Sequence, residues 1–268
     1  METQRTLDLT KIKGIVLDMD GVIWAGAETL PGVPDFFVFL RGRGIPYMLA
    51  TNNSSKNIAE YVARLNSLGV PTTAENIVTS GLVTAEAMTR HYPQDTPIYV
   101  IGSESLVQLL TSYGYAFDPD NAKVVVVGLD ITLSYDKLRI AGQRILAGAD
   151  FIGTNGDLTL PTALGLAPGN GSILAALQAM TGRTPHLMGK PEPVMFQVAL
   201  ERLGTSAEET LMVGDRLDTD IEGARRAGLR TALVLTGVNT RDDIGEITPD
   251  AVYDDLARLL TIWQNTVG

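Results

Sequence analysis

The chain has 268 residues, with 21 Lys+Arg against 31 Asp+Glu and a formal net charge of −10. At roughly 150 residues per domain this length holds one or two domains with a real core, and the acidic balance argues against nucleic-acid binding, which needs clustered Lys and Arg. Cysteine is absent, which excludes disulfide scaffolds, thiolate zinc sites and cysteine nucleophiles. With two histidines, His91 and His186, that show no partner spacing, the chemistry falls to carboxylates, hydroxyls and lysine.

Apolar runs and helical stripes alternate along the chain. Gly14-Ile15-Val16-Leu17 predicts a strand ending at Asp18, and residues 45–50 predict another ending at Thr51-Asn52-Asn53. Residues 57–68 carry Ile58, Tyr61, Val62, Leu65 and Leu68 on one helical stripe, with Gly69 placed to stop it. Ile77-Val78-Thr79 predicts a third strand. In the middle, residues 98–101, 123–127 and 151–153 predict strands, and 104–111 and 135–146 predict helices. Leu187-Met188 then predicts a strand ending near Lys190, followed by a helix with Pro193 in its first turn. Leu211-Met212-Val213 and residues 231–235 complete the set.

Short apolar strands separated by helices predict an α/β fold: a doubly wound parallel sheet covered on both faces. The middle set predicts a smaller α/β domain over 82–184, inserted into a core made of 1–81 and 185–268. The amino-terminal stretch, with Glu2, Arg5, Asp8, Lys11 and Lys13, lacks the apolar run of a signal peptide, and no run approaches the ~20 residues of a membrane span. A cytoplasmic protein without membrane attachment is expected.

In open parallel sheets ligands bind beyond the carboxyl ends of the strands. That rule points to Asp18-Met19-Asp20-Gly21, Thr51-Asn52-Asn53-Ser54, Gly189-Lys190-Pro191 and the stretch from Gly214-Asp215 to Asp220. A strand-tip carboxylate such as Asp18 can attack an electrophile, and Asp20, two residues on, can handle protons. Paired Asp before Gly also builds simple turns. An EF-hand loop is excluded, because its third acid and terminal Glu are missing. Thr51 and Asn52 offer a hydroxyl and a backbone N–H for a phosphoryl oxygen, although helix capping by Ser54, Ser55 or Asn57 reads equally well. Asp218 or Thr219 suits a helix cap. Asp18, Asp20, Asp215 and Asp220 in one place would repel one another unless a cation lay among them, and oxygen-only ligands favour Mg²⁺. Phosphoryl transfer is the chemistry these parts suit.

The four motifs, in this order, resemble the haloacid dehalogenase (HAD) superfamily of phosphatases, whose core is Rossmann-like. The inserted domain, with Thr154-Asn155-Gly156-Asp157…Pro161…Gly165…Pro168-Gly169-Asn170-Gly171-Ser172, is similar to the NagD-type, 4-nitrophenylphosphatase-like branch. The resemblance implies a Mg²⁺-dependent phosphatase of small phosphorylated metabolites, such as sugar phosphates or nucleoside monophosphates. It implies Asp18 as nucleophile forming an aspartyl-phosphate, and Asp20 as acid and base with its carbonyl on the metal. It implies that Thr51, with the Asn52 amide, holds the transferring phosphoryl group, that Asn53 borders the phosphate pocket, and that Lys190 balances the charge of nucleophile and phosphate. Asp215 is implied as a direct metal ligand, with Asp220 acting through a water. The insert becomes a cap whose 155–157 and 169–172 stretches are candidates for touching the leaving group, and relatives often pair through their caps, so a homodimer is one expected assembly. The alternative is a catalytically silent phosphate-binding or sensing protein on the same fold. A nucleotide-cofactor oxidoreductase is set aside, because Gly-x-Gly-x-x-Gly is missing after the first strand, and no Lys follows Gly171 to make a Walker A loop.

Overall fold

A computed structural model of the chain describes residues 7–162 and 165–267. Glu2 and Arg5, read above against a leader, lie outside the described residues, as do positions 163 and 164 within the cap motif. Among the described residues no helix is long and apolar enough to cross a membrane.

The chain divides into two compact units. The first holds the chain up to Thr51, Ala59–Val78 and Lys190 onward; the second holds Asn52–Ile58 and Thr79–Gly189. Among the described residues, the first unit is built on a sheet ordered Ala251–Tyr253, Arg230–Val234, Thr210–Gly214, Gly14–Leu17, Tyr47–Thr51 and Ile77–Thr79. Gly14–Leu17 pairs in parallel with Thr210–Gly214 on one side and Tyr47–Thr51 on the other, Leu17 lying opposite Val213 and Leu49. All four residues of Gly14–Leu17 are buried, as a strand covered on both faces requires. Strand order reverses beside this central pair, so the tips after Leu17 and Val213 open at a topological switch point.

The second unit carries its own sheet, ordered His186–Leu187, Asp150–Gly153, Val124–Val127, Pro97–Ile101 and Ala116–Phe117, every pairing parallel. An antiparallel hairpin, Thr159–Thr162 with Gly165–Pro168, accompanies it. Two corrections to the expected layout follow. The run at Leu187 is not a core strand: His186–Leu187 pairs with Ile152 and Gly153 of the insert's sheet, and Leu187 packs against the cluster of Val125, Val127 and Leu177. The insert therefore runs to Gly189 rather than 184. At its other end it begins at Thr79 rather than 82, because Ala85 and Met88 of the Ser80–Thr89 helix share a core with Ile98, Val100 and Leu106.

Candidate active site

The first unit gathers Asp18, Asp20, Thr51, Lys190, Asp215 and Asp220. Asp18 follows the Gly14–Leu17 strand directly, its backbone N–H donating to Val213 O at 2.9 Å, so the neighbouring strand fixes its position. Asp215 follows Thr210–Gly214 in the same way. Asp220 arrives from a π-type turn, Leu217–Ile221, in which Ile221 N donates to Arg216 O at 3.1 Å. Such a turn carries an extra residue compared with an α-turn and is frequent at functional sites. Here it leaves Asp220 buried, with Oδ2 accepting from Arg216 N at 3.1 Å. The Arg216 side chain makes no cap bond to this turn; Asn239 Oδ1 instead accepts from Leu217 N at 2.8 Å. Asp218, expected as a cap, instead faces the Arg216 guanidinium from an exposed position, at 3.2 and 3.1 Å.

Lys190 is buried and joins these acids. Its Nζ lies 2.5 Å from Asp18 Oδ1, 2.7 Å from Asp220 Oδ1 and 3.2 Å from Ala50 O. The Lys190–Pro191 peptide bond is cis, and the chain then enters the Pro193–Leu203 helix. Burial alone would lower the lysine's pKa, but the two carboxylates outweigh it and raise the pKa. Burial raises Asp18 well above the usual carboxylate range; Lys190 opposes that, and Asp220 and Asp215 add to it. Burial, followed by repulsion from Asp220, pushes Asp215 up to about 7.

One ammonium cannot balance three buried carboxylates. One ligand oxygen from each of Asp18, Asp215 and Asp220 falls within 4.8 Å of the others, all three side chains are buried, and Asp215 Oδ1 has no hydrogen-bond partner. A buried, unpaired carboxylate oxygen is costly unless a cation meets it, and an all-oxygen set suits a hard divalent ion. These residues fit Mg²⁺.

The rest of the Asp215 carboxylate is wrapped by a loop that sequence reading missed. Val238 N donates to Asp215 Oδ2 at 2.7 Å, Asn239 N to Asp215 O at 3.1 Å, and Thr236 Oγ1 to Gly21 O at 2.5 Å. The contact is close enough that a Cβ on Gly237 would collide with the Asp215 carboxylate. Gly21, at φ +81°, is under the same pressure, its Cβ falling 2.5 Å from Asp215 Oδ2. One sequence signal pointed here: Thr236 follows the apolar run 231–235, whose carboxyl end the switch-point rule also covers.

Asp20 stands apart from the buried cluster. It is exposed, and its Oδ1 accepts from the indole Nε1 of buried Trp24 at 2.8 Å, a partner the sequence did not suggest. Thr51 is buried at the end of its strand near Tyr61, whose phenol is pushed up by burial.

Asn52 and Asn53 belong to the second unit. Asn52 Nδ2 donates to the Asp157 carboxylate at 3.1 and 3.3 Å, while its carbonyl accepts from Asn155 Nδ2 at 2.7 Å and Ser80 Oγ at 2.6 Å. Asn53 Oδ1 closes a turn on Ser55, accepting from its N at 2.8 Å and its Oγ at 2.6 Å. Within this unit Asn170 Nδ2 also donates to Asn155 O at 2.7 Å and Val127 O at 3.1 Å. Asn155, Asp157 and Asn170, from the two candidate cap stretches, are thus tied into one polar network.

Two family models match the chain. A haloacid dehalogenase-like hydrolase model matches residues 15–116, and a second HAD-hydrolase-like model matches residues 187–259. The 5′-nucleotidase YutF of Bacillus subtilis is 40% identical over 86% of this chain and 90% of its own length. The chain belongs to the NagD-type branch of the haloacid dehalogenase phosphatases. A 4-nitrophenylphosphatase from Thermotoga maritima superposes on this phosphatase with a TM-score of 0.90 at 38% identity, covering 94% of this chain and 98% of that one. A glycerol phosphate phosphatase from Mycobacterium tuberculosis, solved with magnesium, gives 0.87 at 35% identity over 95% of this chain and 78% of that one.

Proposed function

We propose that the protein hydrolyses small phosphomonoesters, of the sugar phosphate or nucleoside monophosphate kind, with Mg²⁺ and through an aspartyl-phosphate on Asp18. The observation that carries this reading is the buried Asp18–Asp215–Asp220 cluster with Lys190 against it and one Asp215 oxygen left without a partner. Asp18, Asp215 and the Asp20 carbonyl would hold the ion, with Asp220 beside it. When bound, Mg²⁺ supplies positive charge next to the phosphoryl oxygens.

The chain's own groups account for the remaining chemistry. Asp18 attacks phosphorus, with the Lys190 ammonium 2.5 Å away favouring its charged form against the effect of burial. Thr51 and the Asn52 amide hold phosphoryl oxygens, with Asn53 ordering the loop through Ser55. Asp20 gives its proton to the departing ester oxygen, then takes one from the water that attacks the aspartyl-phosphate, releasing phosphate and restoring Asp18. Two positions of one site thereby share the work that a single carboxylate could not do at one protonation state.

Support for the substrate class comes from relatives that act on nucleotides, glycerol phosphate and 4-nitrophenyl phosphate. The test is phosphate release from a panel of sugar phosphates, nucleoside monophosphates and simple alkyl and aryl phosphates, with Mg²⁺ and with EDTA. Release that requires Mg²⁺ is expected. Silence across the panel would favour the phosphate-binding alternative.

A further inference from the structure

We propose that Trp24 is a positioning residue for the acid–base carboxyl of Asp20: its indole fixes Oδ1 so that the proton for the leaving group is carried on Oδ2. The inference rests on the reading of Asp20 as acid and base given above. Trp24 Nε1 donates to Asp20 Oδ1 at 2.8 Å. The backbone repeats the tie. Asp20 and Trp24 form an isolated parallel bridge, Gly21 N donates to Trp24 O at 2.8 Å, and Ile23 N closes onto Met19 O at 2.9 Å.

The donor is rigid and the acceptor is not. Trp24 is 1% exposed, and the Arg64 guanidinium lies 3.9 Å from its ring centroid while also donating to Gly26 O. That cation on the ring face, anchored from the Ile58–Ser67 helix, fixes the plane in which the N–H points. Asp20 is exposed, so its carboxyl would otherwise sample several rotamers, most of them useless for proton transfer. An indole N–H is a donor and never an acceptor. It therefore cannot share the acid's proton, and with Oδ1 already accepting, the proton sits on Oδ2.

This assignment has a chemical signature. As the bond from Asp18 to phosphorus forms and the ester P–O bond breaks, the bonding pair passes to the ester oxygen, which takes the proton from Asp20 Oδ2. An alkoxide leaves poorly without that proton, whereas 4-nitrophenolate carries its charge unaided. Loss of positioning therefore falls on alkyl esters.

The experiment measures kcat/KM for 4-nitrophenyl phosphate and for the best alkyl phosphate of the panel in wild type, Trp24→Phe, Asp20→Asn and the double variant, with melting temperatures throughout. Trp24→Phe keeps a buried ring and removes the N–H. It is expected to depress the alkyl ester about tenfold more than the aryl ester, the upper end of what one hydrogen bond contributes, and to add nothing to that ratio when Asp20 is already Asn. The chain has two tryptophans, so the indole N–H resonances are readily assigned, and Asp20→Asn is expected to move the Trp24 resonance while leaving Trp263 in place. Equal losses on both esters, a ratio change that persists in the Asp20→Asn background, or an unmoved Trp24 resonance would each overturn the proposal. If Asp20→Asn itself leaves the alkyl-to-aryl ratio unchanged, the acid–base reading fails, and that failure is distinguishable from failure of the tie.

Discussion

Asp18 Oδ1 and Lys190 Nζ lie 2.5 Å apart although 172 residues separate them in the chain. The whole insert is threaded between the two, so this ion pair joins the first and third segments of the first unit. Lys190→Met leaves Asp18 and Asp220 facing each other without their ammonium. Stripping one partner from a buried pair typically costs about 3–5 kcal/mol. Denaturant unfolding of this variant should show a loss of that order, together with loss of phosphate release; unchanged unfolding would mean the pair is not buried as described.

Gly237 is the sharpest steric constraint at the site. Gly237→Ala drives a methyl group into the Asp215 carboxylate, so turnover and the apparent Mg²⁺ affinity should both fall. Gly42→Ala serves as a control, since nothing lies within 4 Å of a Cβ there, and helix propensity favours alanine by about 1 kcal/mol. Mg²⁺ titrations of activity on the two variants check the contrast.

A buried acid cluster that awaits a cation makes the metal-free protein less stable. Mg²⁺ at about 100 times its dissociation constant should therefore stabilise the wild type by roughly 2.7 kcal/mol, read as a rise in melting temperature. Asp215→Asn removes one of the repelling charges. Its metal-free form should melt at or above the wild-type temperature, and its response to Mg²⁺ should be largely lost.

The insert has an acid-sensitive contact of its own. Burial raises Asp130, but hydrogen bonds from Lys137 and Thr132 and the Lys137 charge 2.6 Å away outweigh it and hold its pKa below the ordinary carboxylate value. A carboxylate depressed by folding contributes stability above its unfolded pKa and loses it as pH falls through the folded one. Asp130→Asn should thus destabilise the insert at neutral pH, by about 1 kcal/mol or less for a partly exposed lysine partner. The difference from wild type should shrink below about pH 4, near the unfolded carboxylate value. Melting curves across that range check it.

Much of this site was legible because two of its acids follow apolar runs. Asp18 and Asp215 stand where β-spacing stops, and the carboxyl-edge rule places such positions together. The Leu187 run was misplaced for a physical reason: two residues carry too little pattern to choose a sheet, and Leu187 is claimed by hydrophobic contacts that only the folded insert offers. The wrapping of Asp215 by Val238 and Asn239 uses backbone N–H groups, which every residue except proline possesses, so no side-chain pattern announces it. The Trp24–Asp20 bond was hidden for the opposite reason, since a tryptophan beside an apolar stretch reads as core, and Trp24 is indeed buried there.

The nucleophilic role of Asp18 is the claim on which the chemistry depends, and trapping tests it most directly. Acid quench during turnover, followed by borohydride reduction and peptide mass spectrometry, should locate an acyl-phosphate at Asp18. Asp18→Asn should give no adduct and lose at least about a thousandfold in turnover while keeping its fold. An acyl-phosphate on another residue, or an Asp18→Asn variant that still releases phosphate at the wild-type rate, would contradict the account.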